Sequence, residues 1–459
     1  MSESTKGFPY FKDVAKGAGI GLGVLALIIG GFSVGGIGAG APTESTSAEQ
    51  SASASATPSA TPTDARACSV SQDALDPRLG NLQAVVIDAA TDTVLFDRGA
   101  AKPAATASTM KLLTAAAALN ILGPNYRVDT RVYQDPAQPG TIILVGGGDP
   151  TLSRTAPGQQ SVYRDAPKLS TLAVGVNAKM AGTPITKIIV DGSLFTGPTW
   201  DANWERSEQT QGYMSEVTAL QVDGDRSNPA SNTSPRSTTP VLNAGKYFKK
   251  ALGASASAAT IVEGKAPGSA LEIAKVSSQP ISVWIKHMLQ VSDNTEAEAL
   301  ARLVSLDLGY DGSFSSLNIA IKKGLANTQL DSTGLVIKDG SGLSAQNAVP
   351  PTYLAKLSKL VMTGFADFSV IRDGLPVSGE SGSLSARFTG DLKDAVGQVH
   401  AKTGWIKNGY TLAGYITARD KTNLLFAIYA LGNVKDDAKE AIDKLATGFF
   451  RCGAQLSNN

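Results

Sequence analysis

From Gly17 to Pro42 the chain carries no charged residue, and Lys6, Lys12 and Lys16 precede that stretch. Its length can cross a bilayer, and the basic flank puts the N-terminus on the cytoplasmic side. Ala39-Gly40-Ala41 has the small-residue pattern of a signal-peptidase site. Residues 1–16 are therefore expected to be a cytoplasmic N-terminus. Residues 17–41 are expected to be an anchor that stays in the membrane or a signal that is cut away. Residues 42–65 are mostly Ser, Ala, Thr and Pro. Such a stretch cannot bury a core and reads as a linker, roughly 30 Å across as a coil. Periodic segments follow. Leu82–Ile87 and Thr93–Phe96 flank Asp88-Ala-Ala-Thr-Asp92 and predict a β-hairpin. The Met, Leu and Ala run from Met110 towards Leu122, stopped by Gly123-Pro124, predicts a buried helix. Tyr126–Tyr133, Thr141–Val145 and Ile185–Val190 read as strands. Val241–Leu252, Ile281–Leu289 after Pro280, and Glu296–Leu308 behind a cap at Asp293 or Asn294 read as helices. Tyr410–Thr417 and Leu424–Ala430 predict adjacent antiparallel strands, and a last helix is expected from Lys435 to Phe450.

Composition narrows what this pattern can serve. With 459 residues, 42% of them hydrophobic, the chain can build two cored domains. A formal charge of +1 gives no reason to propose a nucleic-acid partner. Two histidines, His287 and His400, and no H-e-x-x-H pattern argue against a catalytic zinc. No metal or other cofactor is expected. Cys68 and Cys452 are the two cysteines. In an exported chain an even pair points to a disulfide, here joining the two ends of the folded part.

Candidate chemistry begins at Ser108 and Lys111, the one Ser-x-x-Lys in the chain. Ser108 falls at a helix start, where free N–H groups favour developing negative charge. Lys111 is one turn on, on the same face. A serine needs a base to become a nucleophile, and a desolvated lysine can be one. Alone, such a pair is weak, because a chain this long holds about one or two by chance. Ser292-Asp293-Asn294 opens the next candidate, although the same triplet also makes a good helix start with no chemistry. Lys402-Thr403-Gly404-Trp405 is the third. Asp201, Glu205 and Glu208 stand among Trp200, Trp204 and Tyr213, which reads as a recognition pocket or as packed loop aromatics. Gly146-Gly147-Gly148 lacks the strand–loop–helix frame of a phosphate loop. Gly31-Phe32-Ser33-Val34-Gly35 lies in the apolar leader, not on a strand-to-helix turn.

Ser-x-x-Lys, Ser-Asp-Asn and Lys-Thr-Gly, in that order, resemble the three-part set of penicillin-binding proteins and class A β-lactamases. Gly146-Gly-Gly-Asp-Pro-Thr-Leu152, Asp191-Gly-Ser-Leu-Phe195, Asp339-Gly-Ser-Gly-Leu-Ser344 and Leu375-Pro-Val-Ser-Gly379 narrow the resemblance to the D-Ala-D-Ala carboxypeptidase/endopeptidase family, the low-molecular-mass class C penicillin-binding proteins. The resemblance implies an α/β penicillin-binding/β-lactamase-like transpeptidase fold: a mostly antiparallel sheet with helices on both sides. It implies a serine D,D-peptidase domain over 66–125 and 275–459, with a β-rich domain inserted at 126–274. It makes Ser108 the acylated nucleophile, Lys111 its base, Ser292 with Lys402 the proton shuttle, and Asn294 a ligand of the substrate amide. Thr403 would hold the substrate carboxylate, and the backbone N–H groups of Ser108 and Trp405, beside Gly404, would form the oxyanion hole. The implied partners are peptidoglycan stem peptides, β-lactam inhibitors and, through the leader, a membrane at the cell envelope. One of Asp201, Glu205 and Glu208 would read a diamino acid of the stem. Trp405 replaces a hydroxyl that many relatives carry, and Ala345 stands where relatives often have Arg. The rival readings are a D,D-endopeptidase, a β-lactamase and a non-enzymatic penicillin-sensing or wall-binding module.

Overall fold

Leu424, Phe426, Ile428 and Ala430 face one core, shared with Ile442, Leu445 and Phe449 of the last helix. Leu425, Ala427 and Tyr429, between them, face a second core with Leu113, Ala117 and Leu354. The two-residue period of a strand produces this split, and cover on both faces makes the segment read as a continuous apolar run. The strand, β10 (Asn423–Leu431), sits mid-sheet with β1 (Asn81–Asp88), β2 (Val94–Arg98), β8 (Val399–Ile406) and β9 (Gly409–Thr417). The order is β2-β1-β10-β9-β8, and each neighbouring pair is antiparallel. Helix Ala438–Cys452 covers one face, and helices Met110–Ile121 and Pro351–Thr363 lie on the other side.

These observations come from a computed structural model that describes residues 66–459. The expected N-terminus, apolar segment and linker lie outside the described residues. Among the described residues no helix is long and apolar enough to cross a membrane. The described residues form one compact unit.

A second sheet lies between helix Met110–Ile121 and the Ser-Asp-Asn turn in sequence. It contains β3 (Asp129–Gln134), β4 (Thr141–Val145), β5 (Lys187–Asp191), β6 (Thr260–Glu263) and β7 (Leu271–Ser277), in the order β6-β5-β4-β3-β7. β4, β5 and β6 are parallel, and β3 is antiparallel to both its neighbours. Helices Leu169–Lys179 and Pro240–Leu252 bury Leu172, Val176 and Phe248 against it. β6 and β7 are largely solvent-facing, so they carry little apolar signal and the sequence pattern did not predict them. β7 also carries this sheet beyond Ala274. The strand β8 was not expected either, because Lys402, Thr403 and Gly404 interrupt its apolar alternation. Cys68 and Cys452 are joined by a disulfide with Cα atoms 5.4 Å apart.

Candidate active site

Ser108 lies in a 3-10 turn, Ala107–Thr109, that runs directly into helix Met110–Ile121. The α-helix thus starts just after the serine instead of at it. Ala107 has φ of 47°, a left-handed conformation that costs a non-glycine residue energy and recurs at functional sites. Two close approaches hold it. Gly342, at φ +87°, packs so tightly that a Cβ there would stand 1.8 Å from Ala107 O. A Cβ at Gly404 of β8 would stand 2.2 Å from Thr411 Oγ1 and 2.8 Å from Ser108 N. The glycine of Lys-Thr-Gly is therefore what lets this strand lie against the backbone of Ser108.

Lys111 is fully buried. Its Nζ lies 2.9 Å from Ser108 Oγ, 2.6 Å from Asn294 Oδ1 and 2.8 Å from the carbonyl oxygen of Ser341. Burial lowers its pKa to about 8, against the opposing fields of Asp339, Glu298 and Asp293. Lys402, also fully buried, donates to Ser292 Oγ at 2.9 Å and to Thr403 O at 2.7 Å. Its pKa is driven well below the usual lysine value, first by burial and then by the charge of Lys111. Ser292 caps helix Ile281–Val291 with φ of 61°, a second strained residue that turns its hydroxyl towards Lys402. Asp293 caps helix Asn294–Asp307 by accepting from the N–H groups of Thr295 and Glu296. The cap expected from sequence and the side chains of Ser292 and Asn294 thus occupy one turn.

Ser108, Ser292, Asn294, Thr403, Gly404 and Trp405 line a cleft of about 480 Å³. Of the three carboxylates in the aromatic stretch, Glu208 also lines it. Burial, then Glu205, raises the Glu208 pKa. Asp201 instead closes its own turn by accepting from Asn203 N at 2.8 Å. Glu205 is exposed and 4.0 Å from Lys407 Nζ. The neighbouring aromatics pack: Trp200 and Trp204 are buried edge to face, and Trp204 Nε1 donates to Asp339 Oδ2 at 2.9 Å.

Sequence reasoning missed the layer behind Lys111. Glu298 accepts from Gly340 N at 3.0 Å and Ser341 N at 2.7 Å, which fixes the carbonyl that Lys111 uses. Burial, then Asp339, raises the Glu298 pKa to about 7. A Glu on helix Asn294–Asp307 looks like surface until its helix is placed. Arg226 was missed as well. It donates to Asp293 Oδ2 at 2.5 Å with both side chains buried. His287, Asp293 and Glu296 cluster within 4.8 Å, but the Arg226 guanidinium on Asp293 opposes a cation there.

The sequence pattern of the D-Ala-D-Ala carboxypeptidase 3 (S13) family matches residues 67–234 and 225–449. The chain belongs to the S13 D-Ala-D-Ala carboxypeptidase family. It is a serine-type hydrolase of that family. A carboxypeptidase of Mycobacterium tuberculosis is 35% identical over 83% of this chain and 82% of its own length. The carboxypeptidase DacB of Mycolicibacterium smegmatis is 32% identical over 95% of this chain and 96% of its own. The crystal structure of penicillin-binding protein 4 from Haemophilus influenzae superposes with a TM-score of 0.68 at 19% identity, over 81% of this chain and 95% of that one. This S13 carboxypeptidase therefore has the penicillin-binding fold.

Proposed function

We propose that this S13 carboxypeptidase removes the terminal D-alanine of peptidoglycan stem peptides through an acyl-enzyme on Ser108. The contacts of Lys111 carry this reading. A neutral amine has two N–H groups and one lone pair. Asn294 Oδ1 and Ser341 O are pure acceptors and take both N–H groups, so the lone pair faces the Ser108 hydroxyl. Ser108 Oγ then attacks the carbonyl of the penultimate D-Ala as its proton passes to Lys111. The oxyanion is met by the backbone N–H groups of Ser108 and Trp405, each contributing about 3 kcal/mol in such sites. The departing D-alanine nitrogen takes a proton from Ser292, which Lys402 replenishes. Lys402 is made good by the proton that Lys111 took from Ser108, so Lys111 is neutral again. Lys111 then takes a proton from the water that cleaves the ester, whose oxygen goes to the peptide, and returns that proton to Ser108 Oγ.

The two buried lysines do not both hold a proton. Lys111 has Asp339, Glu298 and Asp293 around it, whereas the charge that acts on Lys402 is Lys111 itself. In the empty cleft the proton therefore rests on Lys111. Acylation begins once that proton has titrated off, which leaves the Lys111 lone pair free for the Ser108 hydroxyl. Of the three carboxylates, Glu208 would bind the free amine of a diamino-acid stem, a reading supported by its position along the cleft.

Penicillin-binding protein 4 of Haemophilus influenzae has been crystallised with a β-lactam, which supports β-lactams as inhibitors here. A substrate in peptidoglycan places the enzyme outside the cytoplasm, held by residues 17–41 or released after their cleavage. Incubation with a defined pentapeptide and with cross-linked muropeptides, read by product mass, tests the activity. Loss of one alanine marks a carboxypeptidase, cleaved cross-links an endopeptidase, and intact substrates refute both. Turnover of a chromogenic cephalosporin instead of slow trapping would mark a β-lactamase.

A further inference from the structure

A terminal carboxylate offers two oxygens, and a dry site must satisfy both. At the cleft Thr403 offers one hydroxyl, and the next side chain but one along β8 is Trp405, 44% exposed and without an O–H. The cations of the cleft are engaged elsewhere. Arg226 is bound to Asp293, Arg387 to Asp443 at 2.6 and 3.0 Å, Arg236 to the carbonyls of Ser234, Gly212 and Gly224, and Lys439 to Asp436 at 3.4 Å. Ser383 is the remaining donor beside Thr403: it lines the cleft, and its Oγ lies 2.7 Å from Thr403 Oγ1.

Its place is built. The preceding segment lies along β8: Ser378 N donates to Val399 O at 2.9 Å and Ala401 N to Pro376 O at 3.0 Å. The turn is then tied back by Ser381 N and Ser381 Oγ to Val377 and by Gly379 N to Leu384 O. Gly382 is at φ +55°, and a Cβ there would stand 2.5 Å from Gln290 Oε1. The 3-10 turn Gly382–Leu384 therefore presents Ser383 from a fixed backbone.

We propose that Ser383 and Thr403 form a two-hydroxyl clamp for the substrate's terminal carboxylate, with Ser383 supplying the donor that Trp405 lacks. This rests on the reading of the cleft as a D-Ala-D-Ala site. In the empty cleft the two hydroxyls bond to each other. When a carboxylate enters, that bond opens and each O–H donates to one oxygen. Both donors are charge-assisted in the complex and Ser383 stays neutral, so it is a specificity-determining residue and takes no proton in the reaction.

The test compares acylation rate constants for benzylpenicillin and for its methyl ester, which share the reactive ring and differ in the carboxylate. The wild-type enzyme should prefer the acid. Ser383→Ala should lower the acid-to-ester ratio about tenfold, the size of one lost hydrogen bond to a charged group, and Ser383→Thr should restore it. An unchanged ratio in Ser383→Ala, whether or not both rates fall together, overturns the clamp, since a purely structural role slows both ligands alike. A wild-type enzyme that prefers the acid yet releases no D-alanine from a pentapeptide leaves the clamp standing and removes the peptidase reading instead.

Discussion

Lys111 Nζ and Asn294 Oδ1 are 2.6 Å apart, and Asn294 Nδ2 donates to the carbonyl of Tyr213 at 3.1 Å. One amide thus joins the buried amine to the loop at the cleft mouth. Asn294→Asp replaces a neutral acceptor by an anion beside Lys111. It should raise the Lys111 pKa and move the rising limb of the acylation pH profile to higher pH. A limb that stays in place would show that Lys111 is not the group being titrated.

Ser108→Ala should abolish covalent labelling by a fluorescent penicillin while circular dichroism stays native. The serine sits on a turn already fixed by Gly342 and Gly404, so losing its hydroxyl leaves the backbone supported. Stoichiometric labelling of the folded variant would assign the nucleophile elsewhere.

For wild-type enzyme, kcat/KM should rise with pH through about 8. The sign follows from the role of Lys111: its neutral form accepts the Ser108 proton, and burial places its pKa at about 8. Lys111→Ala should slow acylation by at least about a hundredfold, the lower range for a positioned base. Stopped-flow acylation between pH 6 and 10 in steps of about one unit reads both effects. A larger acylation defect in Lys402→Ala than in Lys111→Ala would exchange the two lysines' roles.

Gly404→Ala forces a methyl group to within 2.2 Å of Thr411 Oγ1 and 2.8 Å of Ser108 N. Overpacking of this kind costs about 1–3 kcal/mol, and a displacement of about 1 Å at a reacting group costs about a hundredfold in rate. Urea unfolding and penicillin acylation should therefore both change. Wild-type acylation by the variant would mean that β8 can retreat without moving the nucleophile.

Arg226→Leu should destabilise the protein by about 3–5 kcal/mol, because it strands the buried Asp293 carboxylate. In the wild type Asp293 is depressed below its usual carboxylate range: burial opposes this, and Arg226 leads the groups that outweigh it. Its contribution is present above the ordinary value of 3.8 and is lost as pH falls below that towards the depressed pKa. The variant should therefore lose most of that acid-range dependence. Urea midpoints between about pH 3 and 7 check the sign.

The order Ser108/Lys111, Ser292/Asn294, Lys402/Gly404 was legible in the chain because each is a short motif whose chemistry depends on neighbours in sequence. The central strands and the helices Met110–Ile121 and Ala438–Cys452 were legible for a similar reason: their apolar period repeats locally. β6, β7 and the strand carrying Lys402 were not, since solvent exposure or the polar run at Lys402 and Thr403 erases that period. Tertiary structure alone decided which carboxylates matter. Glu298 and Glu208 look alike along the chain, but one is sealed behind Lys111 and the other borders the cleft. It also decided that Ser383 meets Thr403, residues on separate elements joined only because the turn after Pro376 follows the edge of β8. Burial and through-space distance set charge state and hydrogen bonding, and neither is a property of residue order until the backbone has closed around it.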